Sequence, residues 1–491
     1  MRPALLLSIL ALLLVAGCAR VVVEPPSDLP PPSTERPPPQ APPEDEPPPP
    51  QDDRATDPDA ATDPGTDPLP TPYAGACPGS GCPMPALPTD VRALWVVRTS
   101  LVHPDTARAV VRRASAAGFN TLLVQVRGRG DAWYPSTLEP RPVQQEGLLV
   151  GSGGGAGPER DPLGALLEEA RLHGLQVHGW VNVGLVASAH VPPTDPLHPA
   201  LRFPESLAVP AELATDLFRM DPRDPAYLAT LASWARANED RVEGIYQSPV
   251  NPEIRGHVVS VVTDLVSRYP LDGLHLDYIR YPAPDFDHSR TTLEAFRHHL
   301  LESIRGGASV DPGALARAEE AWPARPSAWP EAFPEAWGNF LAGAQSALLE
   351  EVHRAVRRER PELVLSAAVF ADRSDARQAR FQPWDDWLRD GLLDVVVPMA
   401  YTTDEARWAR QVGDAVEVGG GARVWAGIGI WQTSLTSSVT RARQARQAGA
   451  AAPAGIVLFS YDWAVGPLGE SEAGGGWLDA FADQVWGLSP R

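Results

Sequence analysis

The feature that most constrains this chain is a set of eight short apolar runs, rich in β-branched residues, recurring between Ala93 and Tyr461. They are Ala93–Arg98, Thr121–Arg127, Leu175–Val183, Gly273–Arg280, Leu363–Phe370, Leu392–Ala400, Arg423–Ile430 and Gly455–Tyr461. Runs this apolar suit strands buried on both faces, the situation of a parallel sheet covered by helices. Amphipathic stretches lie between many of them, including Thr106–Ala117, Pro162–His173, His257–Tyr269 and Leu341–Arg358. Gly118, Gly174 and Gly391 stand where helices should stop. Eight strand–helix repeats predict an α/β protein of the (β/α)8 TIM-barrel type. An open doubly wound sheet fits less well, because the count is eight and no Gly-rich phosphate loop opens the first unit. Two connections are long, 184–272 and 282–361, and both follow strand C-termini. In barrel enzymes that end carries the site, so these connections are expected to build the substrate cleft.

The chain before the barrel reads differently. Arg2 and the apolar run Ala4–Leu14 resemble a secretion signal, closed by Val15-Ala16-Gly17-Cys18. That run is too short to span a bilayer, which takes about 20 apolar residues. The four-residue motif resembles a lipobox, so residues 1–17 are expected to be a signal peptide and Cys18 the lipidated residue. Ala19, rather than Asp, follows the cysteine. By resemblance to lipoprotein sorting in Gram-negative bacteria, this implies an outer-membrane lipid anchor, facing the periplasm. Residues 18–88 are mostly Pro, Asp, Glu and Thr, with few large apolar side chains. Such a stretch cannot bury a core and is expected to be a disordered, polyproline-biased tether. At about 3 Å per residue it could reach on the order of 100 Å. The globular barrel then occupies 89–491.

Composition narrows the partners. A formal charge of -20 argues against nucleic acid, which needs a basic face. Three cysteines, Cys18, Cys77 and Cys82, are too few for a disulfide scaffold, and whether the last two pair is open.

Polar and aromatic residues gather at the strand ends, where a sealed core would not choose them. The candidates for substrate binding are Arg98, Gln125, Arg127, Asp131, His178, Trp180, Asn182, Tyr278, Arg280, Trp431, Tyr461 and Asp462. Aromatic rings stack on the apolar faces of pyranoses and planar polar groups bind the hydroxyls, so this mixture suits a polysaccharide. Glycoside cleavage needs a carboxylic acid that protonates the leaving oxygen, and Asp277, at the expected top of the fourth run, is the strongest candidate. Alternation places His275 on the same face; His275 and Tyr401 are expected to orient the reacting groups. The alternative for Asp277 is a structural ion pair with Arg280 or Arg127. Asp272-Gly273 instead reads as a turn into the strand. The second carboxylate is open: Asp462 and Asp131 are candidates, Asp404 a lesser one, and each alone reads more readily as a binding or structural residue. If the sugar carries an N-acetyl group, its own amide can replace a nucleophile. His178, His275 and Asp277 could imitate a metal site, yet no His-x-x-x-His spacing or Cys ligand supports one, so no metal or cofactor is expected. Trp322, Trp329 and Trp337 read as a sugar platform or, more often, as cover for a helix–barrel seam.

Together the motifs resemble the glycosyl-hydrolase-like family 10 barrels of bacterial lipoproteins. The matching pieces are Arg92-Ala-Leu-Trp95, Gly118-Phe-Asn120, Gln125-Val-Arg127, Gly130-Asp131-Ala-Trp-Tyr134, His178-Gly-Trp180-Val-Asn182, the run Asp272 to Pro282, Pro398-Met-Ala-Tyr401 and Phe459-Ser-Tyr461. The resemblance implies a TIM barrel acting on glycans. One outer-membrane member looks like a cell-division glycosidase that cuts peptidoglycan strands lacking stem peptides. Two departures stand out. Trp337-Gly-Asn339 replaces a Trp-Arg-Arg run, and Ile279 occupies the place of the catalytic Glu in the similar chitinase signature. A chitinase mechanism copied whole is therefore excluded. The expected function is hydrolysis of peptidoglycan glycan, with an exopolysaccharide hydrolase or a non-catalytic glycan binder as alternatives.

Overall fold

The computed structural model describes residues 85–142, 144–145, 161–449, 452–473 and 476–488. The leader, Cys18, Cys77, Cys82 and all but the last residues of the expected tether lie outside them. Among the described residues no helix is long and apolar enough to cross a membrane.

All eight expected strands are present. They are β1 (Val91–Val96), β2 (Thr121–Arg127), β3 (Gln176–Asn182), β6 (Gly273–Asp277), β7 (Val364–Phe370), β8 (Val395–Met399), β9 (Trp425–Gly429) and β10 (Gly455–Phe459). A separate antiparallel pair, β4 (Leu185–Ala187) and β5 (Ile245–Tyr246), lies within the first long connection. The eight pair in parallel in the order β8-β7-β6-β3-β2-β1-β10-β9. A bridge between Val396 and Val424 brings the two edges together, so the sheet is a nearly closed (β/α)8 barrel. Several strands stop two or three residues short of the apolar runs, because the chain turns into the loops before its apolar character ends.

Alternation divides the strand residues into two cores. One set fills the lumen: Ala93, Trp95, Leu123, Trp180, Val364, Val395, Val397, Trp425 and Val457. The other, including Leu94, Val124, Val181, Leu276 and Val369, packs outward on the helix layer. Burying each large aliphatic side chain contributes about 1.5–3 kcal/mol, so this double layer is the main stabilising term. The helices begin earlier than periodicity alone suggests. Pro104–Ala116, Pro252–Arg268 and Pro334–Glu359 each carry proline in the first turn. Proline there gives up only an N–H that has no helical partner. Asn251 caps the second of these by accepting from the Glu253 and Ile254 amides.

The two long connections pack on one another. A separate apolar cluster joins Leu185, Trp234 and Tyr246 of the first to Phe286, Phe296, Trp329 and Trp337, which follow β6. Trp329 and Trp337 are buried in it. They cover the seam between the two connections rather than a helix–barrel seam, and offer no platform for a sugar.

Candidate active site at the barrel mouth

Asp277 is the last residue of β6, and its register partner Asn182 is the last of β3. Immediately after it the chain makes a sharp turn. Tyr278 has a φ of 53°, a left-handed conformation that costs a non-glycine residue about 1–3 kcal/mol and persists only where surroundings enforce it. The enforcement is visible. The Tyr278 amide donates to Asp277 Oδ1 at 2.7 Å, and the Gly184 amide donates to the Tyr278 carbonyl at 2.9 Å. A Cβ on Gly184 would lie 2.6 Å from that carbonyl oxygen, so only glycine lets the end of β3 approach the turn. The Arg280 guanidinium is thereby stacked on the Tyr278 ring at 4.2 Å, with the Phe370 ring at 5.1 Å.

Asp277 is 6% exposed. Burial drives its pKa up; the Glu243 charge adds to this, while Arg280, the Tyr278 amide and the Trp180 indole oppose it, and the result is about 6. A carboxylic acid whose pKa is raised well above the usual carboxylate range, at the end of a barrel strand, suits protonation of a leaving oxygen. Neither expected ion-pair partner neutralises it directly. Arg280 reaches instead to Glu243 Oε1 at 3.7 Å and the Tyr246 hydroxyl at 3.4 Å.

Beside Asp277 runs a polar ladder from β3 to β1. Gln125 donates to Asn182 Oδ1 at 3.3 Å, and its own side-chain oxygen accepts from Arg98 Nη1 at 3.0 Å. These residues were expected at the mouth, and the structure brings them together. Asp131 lies close enough to act on Arg98 electrostatically, but its oxygens accept from the Arg129 amide at 2.6 Å and the Trp133 indole at 3.1 Å. It shapes the loop after β2.

Opposite stands an aromatic wall. Tyr401 and Trp431 meet edge to face at 4.8 Å, Phe459 lies 5.3 Å from Trp431, and Trp180 lies 6.3 Å from Phe459. Tyr401, Trp431 and Phe459 are half-buried, leaving ring surface for a pyranose.

Several expected site residues are elsewhere. Arg127 has lumen parity by simple alternation, but a bulge between Gln125 and Arg127 shifts the register, pairing Arg127 with the outward residue Val181. Its guanidinium is buried outside the lumen, 2.6 Å from Glu139 Oε1, which His257 also approaches at 2.9 Å. Burial would raise the Glu139 pKa, yet Arg127 and His257 outweigh it and hold the carboxylate down at about 2. Arg127 is thus part of a structural ion cluster. His178 sits four register pairs below Asn182, fully enclosed, with its ring 5.3 Å from Trp425. Burial pushes its pKa down to about 3, so it is a neutral core residue. His275 is also fully buried; it accepts from the Trp95 indole at 3.1 Å, and its Nδ1 meets Ser366 Oγ at 2.9 Å. Both nitrogens are engaged, so it does not orient Asp277 by a hydrogen bond. Tyr461 packs in the outer core, because Ser460 caps a short helix, Tyr461–Ala464, that turns the chain away from the lumen. Asp462 accepts from the Val97 amide and the Ser100 hydroxyl, both at 2.7 Å, and ties down the end of β1. Asp404 caps the helix Glu405–Gly419, and Asp272 accepts from the Val177 amide at 2.8 Å, as its turn reading requires.

Sequence reasoning missed Glu243. It lies just before β5 in the first connection, accepts from the Tyr246 hydroxyl at 2.5 Å, and is about one-third exposed. Its one sequence signal is the Glu-Gly-Ile-Tyr run 243–246 inside a connection already expected to line the cleft. Among the described residues no group of His, Cys, Asp and Glu is arranged to hold a metal ion.

Comparison with known proteins bears on family and fold. The chain is 24% identical over 367 residues to glycosyl hydrolase DigH of Escherichia coli O6:H1 (strain CFT073), covering 67% of this chain and 69% of that one. With glycosyl hydrolase YngK of Bacillus subtilis (strain 168) it shares 26% identity over 165 residues, 34% of this chain and 26% of the relative. Among solved structures, a β-galactosidase from Bacillus circulans sp. alkalophilus superposes with a TM-score of 0.50 at 13% identity, covering 82% of this chain and 56% of that one, a likeness of fold. The model of the family described as glycosyl hydrolase-like 10 matches residues 90–420, well over half the sequence, and the chain belongs to that family.

Proposed function

We propose that this protein is a glycoside hydrolase that cleaves the glycan strands of peptidoglycan, preferentially strands without stem peptides, with Asp277 as general acid. The observation that carries the reading is a single buried carboxyl, raised to about 6, at the end of a barrel strand. The polar ladder of Arg98, Gln125 and Asn182 stands beside it, and the wall of Tyr401, Trp431 and Phe459 forms the other flank. A sugar seated against the wall would present its glycosidic oxygen to Asp277. The acid's proton passes to that oxygen as the bond to the anomeric carbon breaks, a contribution typically about 100- to 10,000-fold. The lipobox-like Val15–Cys18 and the Pro-rich tether support a wall polymer, since they suit a barrel carried from an outer membrane toward the wall. The family resemblance supports the particular polymer.

The test is a digest of denuded glycan strands, intact sacculi and a neutral glucan by the lipid-free protein, residues 19–491, with products identified by mass. Denuded strands should be cut fastest, because stem peptides would collide with a cleft built by the two long connections. Preference for the un-acetylated neutral glucan would overturn the substrate assignment.

A further inference from the structure

We infer that Glu243 is the second catalytic carboxylate of this site, the base that activates water against the sugar protonated by Asp277. The inference rests on the glycosidase reading above and adds the group that reading lacks. The three acids the sequence offered for this role are all engaged in shaping loops or capping a helix: Asp462 on Val97 and Ser100, Asp131 on Arg129 and Trp133, Asp404 on Arg407.

Glu243 differs from them in place and in setting. It stands on the first long connection, just before β5, whose partner β4 begins three residues after β3 ends at Asn182. The connection therefore folds back over the strand whose last residue is in register with Asp277. Gly244 follows it with a φ of 155° and with Ala187 O only 2.4 Å from where a Cβ would be, so this close return is built into the backbone. One carboxylate oxygen accepts from the Tyr246 hydroxyl at 2.5 Å, and the other lies 3.7 Å from Arg280 Nη2. The Arg280 guanidinium is itself fixed on the Tyr278 ring, in the turn that holds Asp277. The second contact is long enough to leave a lone pair of Oε1 for water, and a side chain one-third exposed can be reached by it. Two carboxyls thus share one mouth in different surroundings, one almost dry and the other held between a hydroxyl and a guanidinium at the solvent edge. Paired carboxyls separated in this way take the roles of acid and base.

The step balances without any further reactant. Glu243 takes a proton from water, whose oxygen forms a bond to the anomeric carbon. The bond from that carbon to the leaving oxygen breaks, its electron pair stays on that oxygen, and the Asp277 proton joins it. One water is consumed, Glu243 ends protonated and Asp277 ionised, and exchange with solvent restores both. No amide of the substrate is needed, so the chemistry does not require an N-acetyl group even where the polymer carries one.

The test compares Asp277→Asn, Glu243→Gln, Glu243→Asp and Glu243→Ala, each checked for a cooperative melting transition, on denuded glycan strands. Glu243→Gln should lower kcat by about 100-fold or more with KM changed only a few-fold. Glu243→Asp, which keeps the charge but withdraws it by one methylene, should fold and still lose at least about 10-fold. Azide should restore turnover to Glu243→Ala and yield a glycosyl azide of inverted configuration, because it replaces the activated water. A dead Asp277→Asn beside a fully active Glu243→Gln would overturn the base assignment and leave the glycosidase reading standing. Impaired Glu243 variants with raised KM and no azide product would mean that Glu243 only positions Arg280, and would also overturn it. Full activity of Asp277→Asn would remove both readings together.

Discussion

At the scale of single residues, the raised proton affinity of Asp277 bears on stability as well as on the proposed chemistry. Its folded pKa of about 6 lies above the value of about 3.9 expected when unfolded. The folded state therefore holds the proton more tightly, and the sign follows. The group costs nothing at low pH, and stability is lost as pH rises from about 4 to 6, where the unfolded chain ionises first. At about 1.4 kcal/mol per unit, the uncharged Asp277→Asn should be more stable than wild type above pH 6 by about 1–3 kcal/mol. Thermal unfolding at pH 5 and pH 8 checks this: the gain should be larger at pH 8. Equal melting temperatures at both would contradict the buried-acid assignment. Arg127 gives the opposite case. Arg127→Ala leaves Glu139 buried with its main partner gone, so the variant should lose about 3–5 kcal/mol. Its KM, where the protein remains folded, should stay near wild type, since the guanidinium is outside the lumen. A stable Arg127→Ala with a sharply raised KM would restore the substrate-binding role expected from sequence.

At the scale of elements, the site depends on how β3, β6 and the turn after β6 meet. Gly184→Ala puts a methyl group 2.6 Å from the Tyr278 carbonyl and 3.1 Å from that of Arg280. Both obstacles are backbone, so the turn must move, at a cost of about 1–3 kcal/mol. A displacement near 1 Å at the acid is worth about 100-fold in rate. Kinetics and melting of this variant should show a kcat loss much larger than the modest fall in stability suggests; unchanged kcat would show that the turn does not position Asp277. The elements also show what the sequence could convey. All eight barrel strands were legible because burial on both faces makes them continuous apolar runs. The positions of Asp277, Arg98, Gln125, Asn182, Tyr401 and Trp431 at the mouth followed from their places at strand ends. Arg127 was misplaced because a bulge reverses alternation without leaving a mark in composition. His178 and His275 were read as mouth residues because parity gives the side of a strand but not the depth in the lumen. Glu243 was missed because its position depends on the path of a long connection, which spacing does not encode.

At the scale of the whole molecule, the barrel carries its own core, to which Leu87 adds at the edge, while the Pro-rich sequence before that has few large apolar side chains. Residues 89–491 should fold without the preceding segment, and limited proteolysis of the longer chain should stop near 72–87; cuts spread through the barrel would contradict that boundary. The central claim is that this barrel hydrolyses glycans with Asp277 as its acid. The most direct measurement is kcat/KM on denuded glycan strands as a function of pH, for wild type and folded Asp277→Asn. Burial and Glu243 raise the Asp277 pKa against the pull of Arg280, Tyr278 and Trp180, to about 6, so wild-type activity should fall as pH rises above that value. Asp277→Asn should be about 100- to 10,000-fold slower and lose that limb. Wild-type turnover with the limb intact in Asp277→Asn would place the acid elsewhere and contradict the account.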